Sequence, residues 1–233
     1  MKVGVIVFPG SNCDHDAYYV LKHVIRQEVV FLWHQDRDLQ DVEAIIVPGG
    51  FSYGDYLRCG ALAKFSPIMD SLQIHAAAGG PVLGICNGFQ ILQEAGLLPG
   101  ALLRNANLKF LCQDVYLRVE QTDTPFTFDL NKDEILRIPI AHNDGSFFLP
   151  AKQLEDLENS GQVIFRYVDS DGKSSVTGNP NGSINSIAGI VNSQRNVIGM
   201  MPHPERASES ILGSNDGLNI IQSMIRSLDR VKN

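Results

Sequence analysis

Apolar and polar positions follow two regimes along this chain. In the first hundred or so residues, short β-branched runs closed by Pro-Gly or Gly-Gly alternate with segments of helical spacing. KVGVIVF (2–8), bounded by Pro9 and Gly10, reads as a buried strand. DAYYVLKHVIRQ (16–27) places Tyr19, Val20, His23, Val24 and Gln27 at helical spacing, and predicts a helix. VVFLWH (29–34) and AIIVPGG (44–50) predict a second and a third strand. LRCGALAKFSPIMDSLQIHAAAGG (57–80) predicts a helix broken near Pro67, and PVLGIC (81–86) a fourth strand. Strands alternating with helices predict βαβ units in a parallel sheet covered on both faces.

Beyond Gly100 the pattern changes. LKFLCQDVYLRVEQ (108–121) alternates imperfectly, and ILRIPIAH (135–142) and VIFRYV (163–168) follow between turn-rich connections. This half predicts antiparallel or edge strands added to the sheet. SIAGIVNSQRNVIGMMPHPE (186–205) reads as a hairpin that delivers His203-Pro204-Glu205 at the end of its second strand. NDGLNIIQSMIRSLDRV (215–231) aligns Leu218, Ile221, Ile225 and Leu228 on one face of a closing helix. With no internal repeat, no low-complexity tract and no long linker, a single domain over 1–233 is expected.

Composition narrows the function classes. The chain has 233 residues, 44% of them hydrophobic, enough for a sizeable core. Net charge is −7 and the basic residues form no dense run, so neither nucleic acid nor an anionic membrane is an expected partner. The N-terminal apolar run before Pro9 is too short for a signal peptide or a membrane span, and a cytoplasmic location is expected. The four cysteines, Cys13, Cys59, Cys86 and Cys112, form no CxxC pair, which argues against a thiolate metal site and predicts free thiols.

The chemistry concentrates in three segments. In GICNGFQILQEAG (84–96), G-I-C-N-G has the layout of a nucleophile elbow, G-x-S-x-G, with Cys86 in the nucleophile position. A helix N-terminus favours thiolate there, and the Asn87 N–H is a candidate oxyanion donor. A buried structural cysteine in a glycine-rich strand end remains the alternative on this pentapeptide alone. MMPHPER (200–206) offers His203 as base and Glu205 as the carboxylate that orients it; in extended geometry the two side chains point the same way. The alternative is a surface turn with an incidental histidine. VPGGFSYGD (47–55) follows a strand, so it would open at the same carboxyl edge as Cys86, with the N–H groups of Gly50 and Phe51 close to a substrate oxygen. It lacks the Lys-Ser/Thr of a phosphate loop, and no G-x-G-x-x-G occurs. CDHD (13–16) resembles a ligand cluster, but neighbours in sequence cannot all converge on one ion, so no metal is expected. His142 in IAHNDGSF (140–147) closes a strand and enters a polar loop, a candidate for substrate contact, whereas His23, His34 and His75 belong to apolar segments.

Together these segments resemble the class I glutamine amidotransferases, whose glutaminase domain carries a Cys-His-Glu triad. VIVFPGSNCDHD, VPGGFSYGDYLRCGALA, LLPGALLRN, NPNGS and MPHPER are similar, more narrowly, to the glutaminase-subunit family of phosphoribosylformylglycinamidine synthases. Where that family reads AHGEGRF, this chain has AHNDGSF. The resemblance implies a flavodoxin-like α/β fold with a mixed, mainly parallel sheet and helices on both faces. It implies Cys86 as nucleophile, His203 and Glu205 as its partners, oxyanion donation from Gly50, Phe51 and Asn87, and substrate contact by Gln90 and His142. It further implies glutamine as substrate, and a synthetase subunit and a small bridging subunit as partners. No cofactor is implied in this chain, because the partner synthetase uses the ATP and magnesium. Two rival readings remain at this point: a γ-glutamyl hydrolase that works without a partner, and a non-catalytic protein with an elbow cysteine.

Overall fold

The computed structural model describes residues 1–232, with side chains through Arg230. The first half runs β1 (Lys2–Val7), α1 (Asp14–Tyr19), β2 (Glu28–Trp33), β3 (Ala44–Val47), α2 (Ile68–Ala77), β4 (Val82–Ile85) and α3 (Asn87–Glu94). The second half adds β5 (Ala101–Leu103), β6 (Leu111–Val119), β7 (Ile135–His142), β8 (Ser146–Phe148), α4 (Ala151–Asn159), β9 (Val163–Val168), β10 (Ile187–Val191), β11 (Val197–Met200) and α5 (Asp216–Lys232).

A nine-stranded sheet is ordered β2-β1-β3-β4-β11-β10-β9-β6-β7. Pairing is parallel from β2 through β11 and antiparallel from β11 through β7. The predicted change of regime beyond Gly100 corresponds to the antiparallel strands β6, β7, β9 and β10 added to the parallel part of the sheet, while β11 returns to pair parallel with β4. β5 and β8 form a separate antiparallel pair. Every residue of β3, β4, β10 and β11 is buried, as expected of central strands covered on both faces. Each fully buried Ile, Leu or Val there stabilises the fold by roughly 1.5–3 kcal/mol relative to exposure. A single hydrophobic cluster extends from β1 and β2 through β4, β11 and β9 to β6, β7 and α5.

Register places the candidate site. Val47 pairs with Gly84, and Ile85 with Met200, so β3, β4 and β11 end together at their carboxyl edge. The segments 48–55, 86–90 and 201–206 leave from that edge side by side. The His203 N–H donates to Pro139 O at 2.8 Å, which ties the third segment to β7 and brings His142 to the same place.

Some elements differ from the sequence expectation, for identifiable reasons. The stretch 57–66 forms turns and one short 3-10 turn at Ala63–Phe65 rather than an α-helix, and α2 begins only after Pro67. Gly60 has φ +76° and lies on α3 so closely that a Cβ there would stand 2.8 Å from Ile91 N, a packing that breaks helical continuation. Helix α1 passes into a wider π-type turn at Val20–Val24, and the segment ends at Arg26 with φ +65°. Helix α4 escapes the apolar pattern because only Leu157 is buried and Leu154 partly so. The short β5–β8 pair has too few residues to show a period.

Candidate active site

Cys86 sits between β4 and α3 with φ +50° and ψ −107°, a conformation that costs a non-glycine residue about 1–3 kcal/mol. What holds it there is the close approach of α3 to β3. A Cβ on Gly88 would stand 1.9 Å from Val47 O, so only glycine lets the helix start against the strand end. The Cys86 N–H donates to Met200 O at 2.8 Å, and its carbonyl accepts from Gln90 N at 3.2 Å. Its Sγ rests 3.7 Å from Ala141 O. The residue is 6% exposed and lines a cavity of about 260 Å³.

His203 and Glu205 leave β11 as an ion pair, with Nδ1 and Oε1 2.6 Å apart and side chains 2% and 1% exposed. Burial alone would push the His203 imidazolium down; the Glu205 charge overrides it, with help from Cys86 and Cys13, and holds the pKa well above its ordinary value. His203 Nε2, at the far edge of the ring, has no protein partner among the described residues. Gly49 is where the three distant segments meet. The position a Cβ would take on it lies 2.8 Å from His203 Cε1, 3.3 Å from Cys86 Cβ and 3.4 Å from Cys13 Sγ. Any side chain at 49 would separate the cysteine from the histidine.

The loop after β3 is held in a strained shape, with φ of +95° at Gly50, +38° at Phe51, +54° at Tyr53 and +54° at Asp55. Its anchor is the Asn87 side chain. Asn87 Oδ1 accepts from Ser52 N at 3.0 Å, and Nδ2 donates to Asp55 Oδ1 at 3.3 Å and to Gln90 Oε1 at 2.9 Å. The Asn87 side chain therefore braces the loop after β3 against α3, a role the sequence reading did not assign to it. Gln90 Nε2 donates to Asp144 O at 2.6 Å, so Gln90 ties α3 to the loop after β7 at the cavity wall. The N–H groups of Gly50, Phe51 and Asn87 take no protein acceptor among the described residues.

All the candidate residues from the sequence line this cavity except Glu205, which lies behind His203. His142 is 3% exposed, and burial, helped by His203, pushes its pKa down to about 4. The sequence reading missed several wall residues. Cys13 separates from its CDHD neighbours: it is buried in the site, while the side chain of His15 is 82% exposed. Arg206 donates from Nε to Asp16 Oδ2 at 3.0 Å and from Nη2 to Cys13 Sγ at 3.1 Å. Ligand atoms of Cys13, His203 and Glu205 all lie within 4.8 Å of one another. Asp55 and Asp144 face each other near the mouth; burial first, then the Asp144 charge, raises the Asp55 pKa. The sequence flags Cys13 only as one of the CDHD residues, and Asp55 and Asp144 only as members of the VPGGFSYGD and AHNDGSF loops, without placing any of them in the site.

A strained cysteine on a strand-to-helix turn, facing a buried His-Glu pair at the carboxyl edge of an α/β sheet, is a site built for cysteine-dependent acyl transfer. Comparison with known proteins makes the class specific. The family described as a CobB/CobQ-like glutamine amidotransferase domain matches residues 1–218. Phosphoribosylformylglycinamidine synthase subunit PurQ of Koribacter versatilis is 57% identical over 98% of this chain and 99% of its own length. The PurQ subunit of Moorella thermoacetica is 54% identical over 97% of this chain and 95% of its own length. A chain in the PurLQS structure from Thermotoga maritima superposes with a TM-score of 0.87 at 45% identity, covering 97% of this chain and 98% of that one. A Thermotoga maritima glutamine amidotransferase, 16% identical with a TM-score of 0.55, shares the fold. This chain belongs to the glutamine amidotransferases and, within them, to the PurQ family of phosphoribosylformylglycinamidine synthase subunits. Among the described residues, no helix is long and apolar enough to cross a membrane.

Proposed function

We propose that this chain, as one domain over 1–233, hydrolyses glutamine to glutamate and ammonia for a phosphoribosylformylglycinamidine synthase. The Cys86 thiolate attacks the γ-amide carbon, and the N–H groups of Gly50, Phe51 and Asn87 hold the oxyanion. His203 protonates the departing nitrogen, leaving a γ-glutamyl thioester on Cys86. His203, oriented by Glu205, then takes a proton from the water that attacks the thioester, and glutamate leaves. Gln90 and His142 contact the bound glutamine. The observation that carries this reading is the buried 2.6 Å His203–Glu205 pair converging with Cys86 on the open side of Gly49.

The ammonia goes to an ATP-dependent synthetase subunit, which converts formylglycinamide ribonucleotide to formylglycinamidine ribonucleotide in purine biosynthesis, and a small bridging subunit completes the assembly. The relatives' names as synthase subunits and the PurLQS neighbour support these partners. The chain needs no metal or cofactor of its own, since the partner uses ATP and magnesium, and it works in the cytoplasm. Trapping with a diazo-ketone analogue of glutamine, followed by mass-spectrometric mapping, tests the nucleophile. The adduct is expected on Cys86; an adduct on Cys13, Cys59 or Cys112 instead would overturn the assignment.

A further inference from the structure

His142 carries a protonation pattern that the scheme above leaves unexplained. The pattern is set by Asn105, which is fully buried beside it. Asn105 Nδ2 donates to two backbone carbonyls, Lys109 O and His142 O, each at 2.9 Å. Its Oδ1 is thereby fixed as the acceptor; it takes the Gly145 N–H at 3.2 Å and lies 3.0 Å from His142 Nδ1. A carbonyl oxygen facing a ring nitrogen requires that nitrogen to carry the proton. His142 is thus the Nδ1–H tautomer, and Nε2, on the other side of the ring, presents a bare lone pair. Among the described residues that lone pair has no partner, although the residue is buried. A buried acceptor left open in a catalytic cavity is costly unless the reaction fills it.

Only one reacting group on the substrate gains N–H bonds during the chemistry. As the γ-amide collapses to thioester, the C–N bond breaks with its electron pair going to nitrogen. His203 Nε2 supplies one proton, and the nitrogen leaves as NH3 with three N–H bonds and a free lone pair. We propose that His142 Nε2 is the acceptor that receives an N–H of this departing nitrogen and first holds the released ammonia. This rests on the assignment of Cys86 as the nucleophile.

One feature suits His142 to that role. It is neutral, so it has no proton on Nε2 to convert ammonia into ammonium, and the nitrogen keeps the lone pair a later acceptor needs. His142 lines the same cavity as His203, whose Nε2 must reach the same nitrogen.

The test compares two leaving groups in the assembled synthase: glutamine, which releases ammonia, and the γ-methyl ester of glutamate, whose leaving oxygen has no N–H to donate. His142→Ala is expected to lower glutamate release from glutamine about tenfold more than release from the ester, the loss of one hydrogen bond to the leaving nitrogen. His142→Gln, which can offer an acceptor oxygen, is expected to recover part of the glutamine rate. Equal losses on both substrates, or no loss on glutamine, would overturn the proposal and leave His142 as wall packing. If Ala at 142 fails to fold, nitrogen-15 NMR of the imidazole decides: an unprotonated Nε2 is required, and an Nε2–H resonance refutes it. Failure of the nucleophile assignment looks different, because Cys86→Ser would then retain turnover of both substrates.

Discussion

Glu205→Gln isolates the charge of the carboxylate from its shape. Glutamine can still accept the Nδ1–H of His203 through Oε1, so ring orientation and tautomer survive while the negative charge is lost. The pair is 2.6 Å apart with both side chains almost wholly buried, so solvent screens it little. At an effective dielectric of about 20, unit charges roughly 4 Å apart interact by about 4 kcal/mol. If most of that interaction supports the imidazolium that forms beside the Cys86 thiolate, the rate falls roughly 10²- to 10³-fold. The sign for pH follows. Glu205 raises the His203 pKa, so its loss lowers it, and the limb of the rate profile that reports loss of the imidazolium proton moves to lower pH. The assay is glutamate release at saturating glutamine between about pH 5.5 and 9, with circular dichroism confirming the fold. A loss under about fivefold with an unmoved pH profile would refute the argument that His203 depends on this charge.

Three further outcomes are expected. His203→Ala should lose glutamine-dependent synthesis by the complex but keep synthesis from added ammonium; loss of both would indicate failed folding or assembly rather than lost chemistry. Gly88→Ala should destabilise the protein by more than about 3 kcal/mol in urea titration, since its Cβ would stand 1.9 Å from Val47 O, and a change under 1 kcal/mol would contradict the packing given for the elbow. His142, with its folded pKa near 4 against 6.5 in the unfolded chain, binds fewer protons than the unfolded state between those values. Its contribution is therefore complete above about pH 6.5 and lost as pH falls toward 4, by about 3 kcal/mol in all. Urea stability should fall more steeply for the wild type than for His142→Gln over that window, and parallel curves would count against the depressed pKa.

What the sequence could show depended on whether the cause was local. The β-branched runs at 2–8, 44–47 and 82–85 mark strands because central parallel strands are buried on both faces, and that burial is written directly in residue type. The elbow around Cys86 and the His-Pro-Glu turn were legible because each needs residues at fixed short spacings. Helix α4, with one buried side chain, and the turns at 57–66, broken by the contact of Gly60 with α3, were hidden because their causes lie elsewhere in the chain.

The same division runs through the site. Sequence alone determined the reactive residue types, the carboxyl edge at which they lie, and the pairing of His203 with Glu205, two residues apart. The tertiary structure alone decided that Gly49 is the clearing in which Cys86, His203 and Cys13 meet, because that depends on the parallel register of β3, β4 and β11. It also decided that Asn87 works through its side chain, and that Asn105 holds His142 in one tautomer from 37 residues away. Hydrogen-bond direction across such distances has no period or spacing in the chain, and only packing brings the donor to its acceptor.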